Sequence, residues 1–149
     1  MKSNVEILEI ARKTLQIEAE SVKRLATQLN DNFSELVHQI LYLNARVIVT
    51  GIGKSAIIAQ KIVATFNSTG TPSIFMHAAD AIHGDLGMIQ KDDLVICISK
   101  SGNTPEIKVL IPLLKQGGNK LVGMVGDKDS FLARQSDWIL DTSVEHEAC

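Results

Sequence analysis

The spacing of apolar positions changes along this chain, and the change divides it. Over residues 4–29, Leu8, Leu15, Val22 and Leu29 recur every seven positions, with Ala11 and Leu25 between them and Glu18 interrupting that second series. This is the stripe of a long amphipathic helix, open to burial against the same chain or against a second copy of it. Residues 32–43 read as a second, shorter helix, with Asn30 or Asp31 as its N-cap. The period then shortens. Arg46-Val47-Ile48-Val49-Thr50 is a β-branched run closed by Gly51, the signature of a short strand. Helical spacing returns over 54–68, where Ile57, Ile58, Ile62, Val63 and Phe66 make a broad apolar face, and Gly70-Thr71-Pro72 stops it. Further strands are predicted at 73–76, 94–98, 120–125 and 138–140. Helices are predicted at 105–116 and 129–135, and residues 78–90 read as a loop with one helical turn.

Strands alternating with helices through short connections predict an α/β fold, a five-stranded parallel sheet with helices on both faces, preceded by a long N-terminal helix. The continuous apolar strands fit a sheet covered on both sides. In such sheets ligands bind beyond the carboxyl ends of the strands. Three stretches fall there: residues 50–55, 76–87 and 99–106.

Composition narrows the class. A chain of 149 residues, 45% hydrophobic and 21% charged, suits one soluble globular domain. Its 15 basic and 17 acidic residues leave a net charge of −2, so no bulk field draws nucleic acid and any anion must be held locally. No apolar run approaches the roughly 18–20 residues of a membrane span, and the first residues lead into an amphipathic stretch rather than a signal-peptide core. Two cysteines do not make a disulfide framework. Cys97, within an apolar strand, is expected buried, and Cys149 is the last residue. A reducing cytoplasm fits this usage.

Candidate chemistry lies at the three strand ends. Gly51-Ile52-Gly53-Lys54-Ser55 joins a strand to a helix, but it is not a Walker A loop, because the position that would need the first glycine is Ile48. The dinucleotide fingerprint would accept Gly51, Gly53 and Ala56. It also asks for an acidic residue after the next strand, where Phe75, Met76 and His77 stand. What remains is a glycine turn that either holds an anion at a helix start beside Lys54 and Ser55 or serves only to turn the chain. Ser99-Lys100-Ser101-Gly102-Asn103-Thr104-Pro105-Glu106 offers three side-chain hydroxyls before a helix, with Thr104 as N-cap and Pro105 as first helical residue. Hydroxyls and free N–H groups converging at a positive helix end form a cradle for a phosphate monoester. His77 and His83 flank the third stretch, whose His, Asp and Gly residues suit acid–base work or ligand positioning, or else loop hydrogen bonds. Two histidines six apart are not a zinc motif. Glu106 and Glu147 are the candidate carboxylates; Glu106 at a helix start also fits simple pairing with the helix dipole.

The Gly-x-Gly-Lys-Ser turn, the His83-Gly84-Asp85-Leu86-Gly87 segment, the 99–106 loop and the terminal Glu145-His146-Glu147-Ala148-Cys149 come in an order that resembles the arabinose-5-phosphate isomerases, a family of sugar isomerase (SIS) domains. The segment 68–88, STGTPSIFMHAADAIHGDLGM, is its most specific part. The resemblance covers residues 44–149, leaving 1–43 as a helical arm. It implies an SIS-type five-stranded parallel sheet and a homo-oligomer, a tetramer built of dimers, with sites near subunit interfaces. It implies no required cofactor, and interconversion of D-ribulose 5-phosphate and D-arabinose 5-phosphate feeding Kdo and lipopolysaccharide. By the same resemblance Lys54, His83, Glu106 and Glu147 match catalytic positions. Gly70, Thr71 and the region after Glu106 match substrate-binding positions, and His77 matches a position that can bind a non-essential zinc. Lys100 stands where many members have Asn, and Ala56 where many have Gly. The family continues past this point with a Ser/Thr-rich loop, a helix and a His-containing segment, and many members carry a CBS pair, so the resemblance implies an SIS domain shortened at its C-terminal end.

The expectation is an aldose–ketose isomerase in which Ser55, Ser99, Ser101, Asn103 and Thr104 bind the sugar phosphate. Glu106 or Glu147 would move a proton through a cis-enediol, His83 would open the ring or shuttle protons, and Lys54 would stabilise enediolate charge. Two alternatives stay open: a sugar-phosphate sensor that performs no chemistry, and an SIS isomerase of hexulose 6-phosphates. Neither nucleic acid nor a membrane is an expected partner.

Overall fold

Right-handed crossovers organise the molecule. The computed structural model describes residues 2–148; Cys149 lies outside the described residues. Five strands, β1 (Val47–Gly51), β2 (Ser73–His77), β3 (Leu94–Ser99), β4 (Lys120–Val125) and β5 (Trp138–Asp141), form one sheet in the order β2-β1-β3-β4-β5, every pair parallel. The chain steps one way from β1 to β2, then returns past β1 and continues to β5. Because each crossover is right-handed, reversing direction puts the connecting helices on opposite faces. α3 (Lys54–Ser68) lies on one face, joined there by α2 (Asp31–Leu41). α4 (Ala78–Ala81), α5 (Pro105–Gly117) and α6 (Phe131–Gln135) lie on the other.

Strand alternation feeds two cores. Val47, Val49, Ile96 and Val122 point to the α2–α3 side with Leu36, Ala59 and Trp138, while Ile48, Val95, Cys97 and Leu121 point to the α5–α6 side with Ile107, Leu110, Ile111 and Leu114. Burial on both faces explains why the strands read as unbroken apolar runs.

Several details differ from the sequence reading. The stretch 78–90 contains α4 and a 3₁₀ turn at Asp85–Met88, because Ala78 and Ala81 are small enough to bury against Met76 and α5. Of the two predicted caps of α2 it is Asn30 that serves: its side chain accepts from the Asn32 N–H at 3.1 Å. Of residues 1–43, α2 packs on the sheet through Leu36, whereas α1 (Asn4–Gln28) buries none of its residues. α1 starts in a reciprocal capping box between Ser3 and Glu6. It meets the rest of the chain near its C-terminal half, where Arg24 pairs with Glu145 at 2.7 Å and Gln28 bonds Ser143 at 3.4 Å. Its stripe of Leu8, Leu15, Val22 and Leu29 stays exposed.

The amino ends of the strands are held by a part-buried ion pair. Asp93, 1% exposed, accepts from Arg46 at its backbone N, Nε and Nη2 (3.1, 3.2 and 2.6 Å) and from the Gln90 N–H at 2.8 Å.

Candidate active site

The candidate residues gather at the opposite ends of the strands. Where the strand order reverses, β1 and β3 diverge into loops that leave a crevice between them. A pocket of about 500 Å³ opens there, lined by Ile52 and Ser55 after β1, Ser99, Lys100, Ser101 and Thr104 after β3, and Gly126 and Asp127 after β4. The two hydroxyl-bearing loops predicted to hold an anion therefore meet in one cavity.

Two helices start at this pocket, and neither is capped by its own side chain. α1, α2 and α6 are capped by Ser3, Asn30 and Ser130. α3 starts at Gly53, and α5 at Thr104, without a side-chain cap bond. The Ala56 N–H already bonds Gly53 O at 3.1 Å and Pro105 has no N–H; the other first-turn N–H groups of α3 and α5, and the positive ends of their dipoles, stay open to a ligand. Gly51 lets α3 begin this close, since a Cβ there would meet Ser55 backbone atoms at 3.0 and 3.1 Å.

The hydroxyls are prepared in the same sense. Ser99 Oγ accepts from the Gly102 N–H at 3.1 Å, and Ser101 Oγ accepts from the Asn103 N–H at 3.3 Å. Each orients the loop as an acceptor and keeps its O–H to donate. Thr104 Oγ1 is buried with no hydrogen-bond partner. An orphaned buried hydroxyl costs about 1–3 kcal/mol, a cost that a bound anion would offset.

None of the other predicted residues lines this cavity. Lys54 opens α3 and lies near enough to Glu147 to favour its charged form. Glu147 is ion-paired to Lys100, and first this bond, then the two lysine charges, hold its carboxyl below the usual glutamate range. Glu106 is half-buried in the first turn of α5, and His83 is exposed in the loop between α4 and the 3₁₀ turn. Asn103 does not line the pocket. Its Oδ1 accepts from the Phe131 N–H at 3.1 Å and its amide donates to Ser101 O at 2.9 Å, so it ties the loop to α6. Gly70 and Thr71 lie at the other pole, where neighbouring Pro72 O accepts from the Val47 N–H at the start of β1. The length of β2, about 3.3 Å per residue, separates them from the pocket of the same chain.

His77 ends β2 with Nδ1 buried and unpartnered, 3.6 Å from Asp80 Oδ2, which is too long for a hydrogen bond. Among the described residues no group of three or more His, Cys, Asp or Glu side chains is placed to hold a metal. Within the described residues of one chain His77 thus finds no set of partner ligands for a zinc.

Ile52, Lys100, Gly126 and Asp127 are pocket residues that motif reading did not assign. The position of Lys100 between Ser99 and Ser101 was the available signal; Gly126 and Asp127 follow β4, where no motif marks them. A larger cavity, about 600 Å³, lies at the outer edge of β5 among Leu25, Phe33, Ile139 and Leu140, but the helix starting there, α2, is already capped. Among the described residues no helix is long and apolar enough to cross a membrane.

Comparison with known proteins agrees with this fold. Residues 40–149 match the model of the SIS domain. The arabinose 5-phosphate isomerase KdsD of Pseudomonas aeruginosa is 44% identical over all of this chain, which spans 46% of that relative. The arabinose 5-phosphate isomerase GutQ of Escherichia coli K12 is 43% identical over 96% of this chain and 44% of its own length. The chain thus spans less than half of these curated relatives. An Escherichia coli CFT073 protein solved in complex with arabinose 5-phosphate superposes with a TM-score of 0.93 at 38% identity, over 99% of this chain and 79% of that one.

Proposed function

This chain belongs to the SIS-domain family, and we propose that it carries the phosphate-binding core of an isomerase interconverting D-ribulose 5-phosphate and D-arabinose 5-phosphate. The observation that supports this best is the pair of uncapped helix starts, α3 and α5, facing a pocket lined by Ser55, Ser99, Ser101 and Thr104. Hydroxyls and N–H groups recognise a phosphate by hydrogen bonding, with little need for net charge. The names of the relatives supply arabinose 5-phosphate as one of the two sugars.

In this reading the phosphate anchors one end of the open-chain sugar, and remote binding fixes C1 and C2 against the catalytic groups. A carboxylate removes a proton from C1 of the ketose. The C–H electron pair forms the C1=C2 bond, and the C2 carbonyl oxygen takes a proton, giving a cis-enediol. Loss of the O1 proton forms the C1 aldehyde as a proton is delivered to C2, and the face of delivery sets the arabino configuration. No electrons leave the sugar, so no redox cofactor is required. Glu106 is the first candidate base, half-buried beside the cradle, and Glu147 the second. Lys54 stabilises developing negative charge on the enediol oxygens, and His83 assists ring opening or proton exchange between them. Asn103 holds the loop shape, and Gly70 and Thr71 serve a site only if a second copy brings them to it. The protein so read is a cytoplasmic homo-oligomer whose product feeds Kdo and lipopolysaccharide.

Incubation with D-ribulose 5-phosphate in deuterated water, followed by NMR, tests the reading. Arabinose 5-phosphate carrying deuterium at C2 is the expected result. Tight binding with neither product nor exchange, in this chain and in a longer one, would instead indicate a sensor. In Glu106→Gln the exchange is expected to stop; exchange that survives removes Glu106 as the base.

A further inference from the structure

One lysine of the pocket is engaged by a carboxylate from a distant part of the chain. Lys100 lines the phosphate pocket between Ser99 and Ser101, and its Nζ is ion-paired to Glu147. Its main chain has no freedom to choose this contact. Lys100 O accepts from the Gly126 N–H at 2.9 Å, and a Cβ at Gly126 would sit 3.2 Å from Lys100 Cγ. The backbone is fastened to the loop after β4, and the side chain, 62% exposed, is the part that selects a partner.

Glu147 arrives on a strap that follows β5. The strap is fastened where Thr142 donates its N–H and its hydroxyl to Val125 O, at 2.8 and 3.0 Å, and again where Glu145 meets Arg24 of α1. Beyond these points Glu147 reaches the rim of the pocket, where it is ion-paired to Lys100 and lies near Lys54. A phosphate dianion seated among the four hydroxyls would attract the same ammonium group, with nearly twice the charge of the carboxylate.

We propose that Lys100 is a positioning residue that exchanges partners: it holds Glu147 when the pocket is empty and turns to the phosphate when it is filled, freeing the Glu147 carboxylate for the sugar. The exchange rests on the phosphate-pocket reading above and adds to it a coupling between phosphate occupancy and the strap. Because both ends of the Lys100–Glu147 pair are exposed, the competition is modest and is screened by salt.

Inorganic phosphate is the probe, titrated into the full chain by calorimetry at low ionic strength. Glu147→Gln is expected to tighten phosphate binding by about two- to fivefold, because the competitor is gone. Lys100→Met is expected to weaken it by roughly tenfold. In the Lys100→Met background the Glu147→Gln change is expected to have no effect, and Lys100→Arg is expected to keep the Glu147 response. A merely structural role for Lys100 predicts additive effects. Phosphate binding that is unchanged or weakened in Glu147→Gln overturns the exchange while leaving the pocket intact. A wild-type protein that binds no phosphate overturns both the exchange and the reading beneath it.

Discussion

Thr104 occupies a capping position and caps nothing. Its φ and ψ of −60° and 144° are those of an N-cap, yet its hydroxyl is buried without a partner. In Thr104→Val the orphan is removed without loss of volume, so unfolding free energy should hold or rise slightly by urea titration. Phosphate affinity should fall about tenfold, roughly 1.4 kcal/mol. A loss of stability with unchanged affinity would make this hydroxyl structural. Cys97 gives a second residue-scale expectation. Burial pushes its thiol up to about 12, so the reactive thiolate is scarce at neutral pH. In a Cys149→Ser chain, Ellman's reagent should titrate no thiol in the native state and one after denaturation. Fast native reaction would show that β3 opens.

Loops and helix starts depend on one another at the scale of elements. The 99–104 loop crosses α6 so closely at Gly102 that an added Cβ would overlap Ser130 Oγ, the atom that caps α6, and its φ is +59°. Gly102→Ala should therefore cost about 1–3 kcal/mol in overpacking and weaken phosphate binding as the loop shifts. Ser130→Gly in the same chain should restore only part, because the left-handed backbone remains strained. Full stability in Gly102→Ala would mean the loop and α6 move apart freely. At the amino ends of the strands, burial alone would raise the Asp93 carboxyl, but the bonds from Arg46 and from the Gln90 and Arg46 N–H groups outweigh it and hold the group below the usual aspartate range. A folded value below the unfolded one stabilises the protein above about pH 4, and that stability is lost as pH falls through the folded value. Asp137 and Asp141 are lowered too, so the chain should lose stability steeply in acid below about pH 4. Asp93→Ala, which leaves Arg46 uncompensated, should cost about 3 kcal/mol at pH 7 and flatten the acid limb.

For the whole molecule the exposed face of α1 matters most. Five residues on one side of the helix, Thr14, Ile17, Ser21, Arg24 and Gln28, are partly covered, and Val144 and Glu145 approach that side. Leu8, Leu15 and Val22 lie on the opposite side and are 53, 65 and 68% exposed. The proposal of a homo-oligomer gives this stripe an occupant in a second copy. Leu15→Lys with Val22→Lys should then lower the mass measured by sedimentation equilibrium while leaving the helical circular dichroism of the body unchanged. An unaltered mass would move the interface elsewhere or remove it.

Local chemistry determined what was legible in the sequence. Period, caps and glycine stops depend on neighbours along the chain, so all five strands, the α3 and α5 segments and the pairing of Pro105 with an N-cap at Thr104 could be read directly. The same holds for the placing of Ser55, Ser99, Ser101 and Thr104 at the pocket, because the carboxyl end of a parallel strand is a position that a linear pattern specifies. What only the tertiary structure decided depends on residues far apart in the chain. The meeting of the two loops required the strand order to reverse between β1 and β3. The divergence of Gly70 and Thr71 from the pocket followed from which end of β2 they precede. The role of Asn103 was set by the arrival of Phe131, and the placing of Glu147 by Lys100, 47 positions away. Hydrogen bonds and ion pairs act over a few ångströms, whereas crossovers decide which distant segments come within that reach.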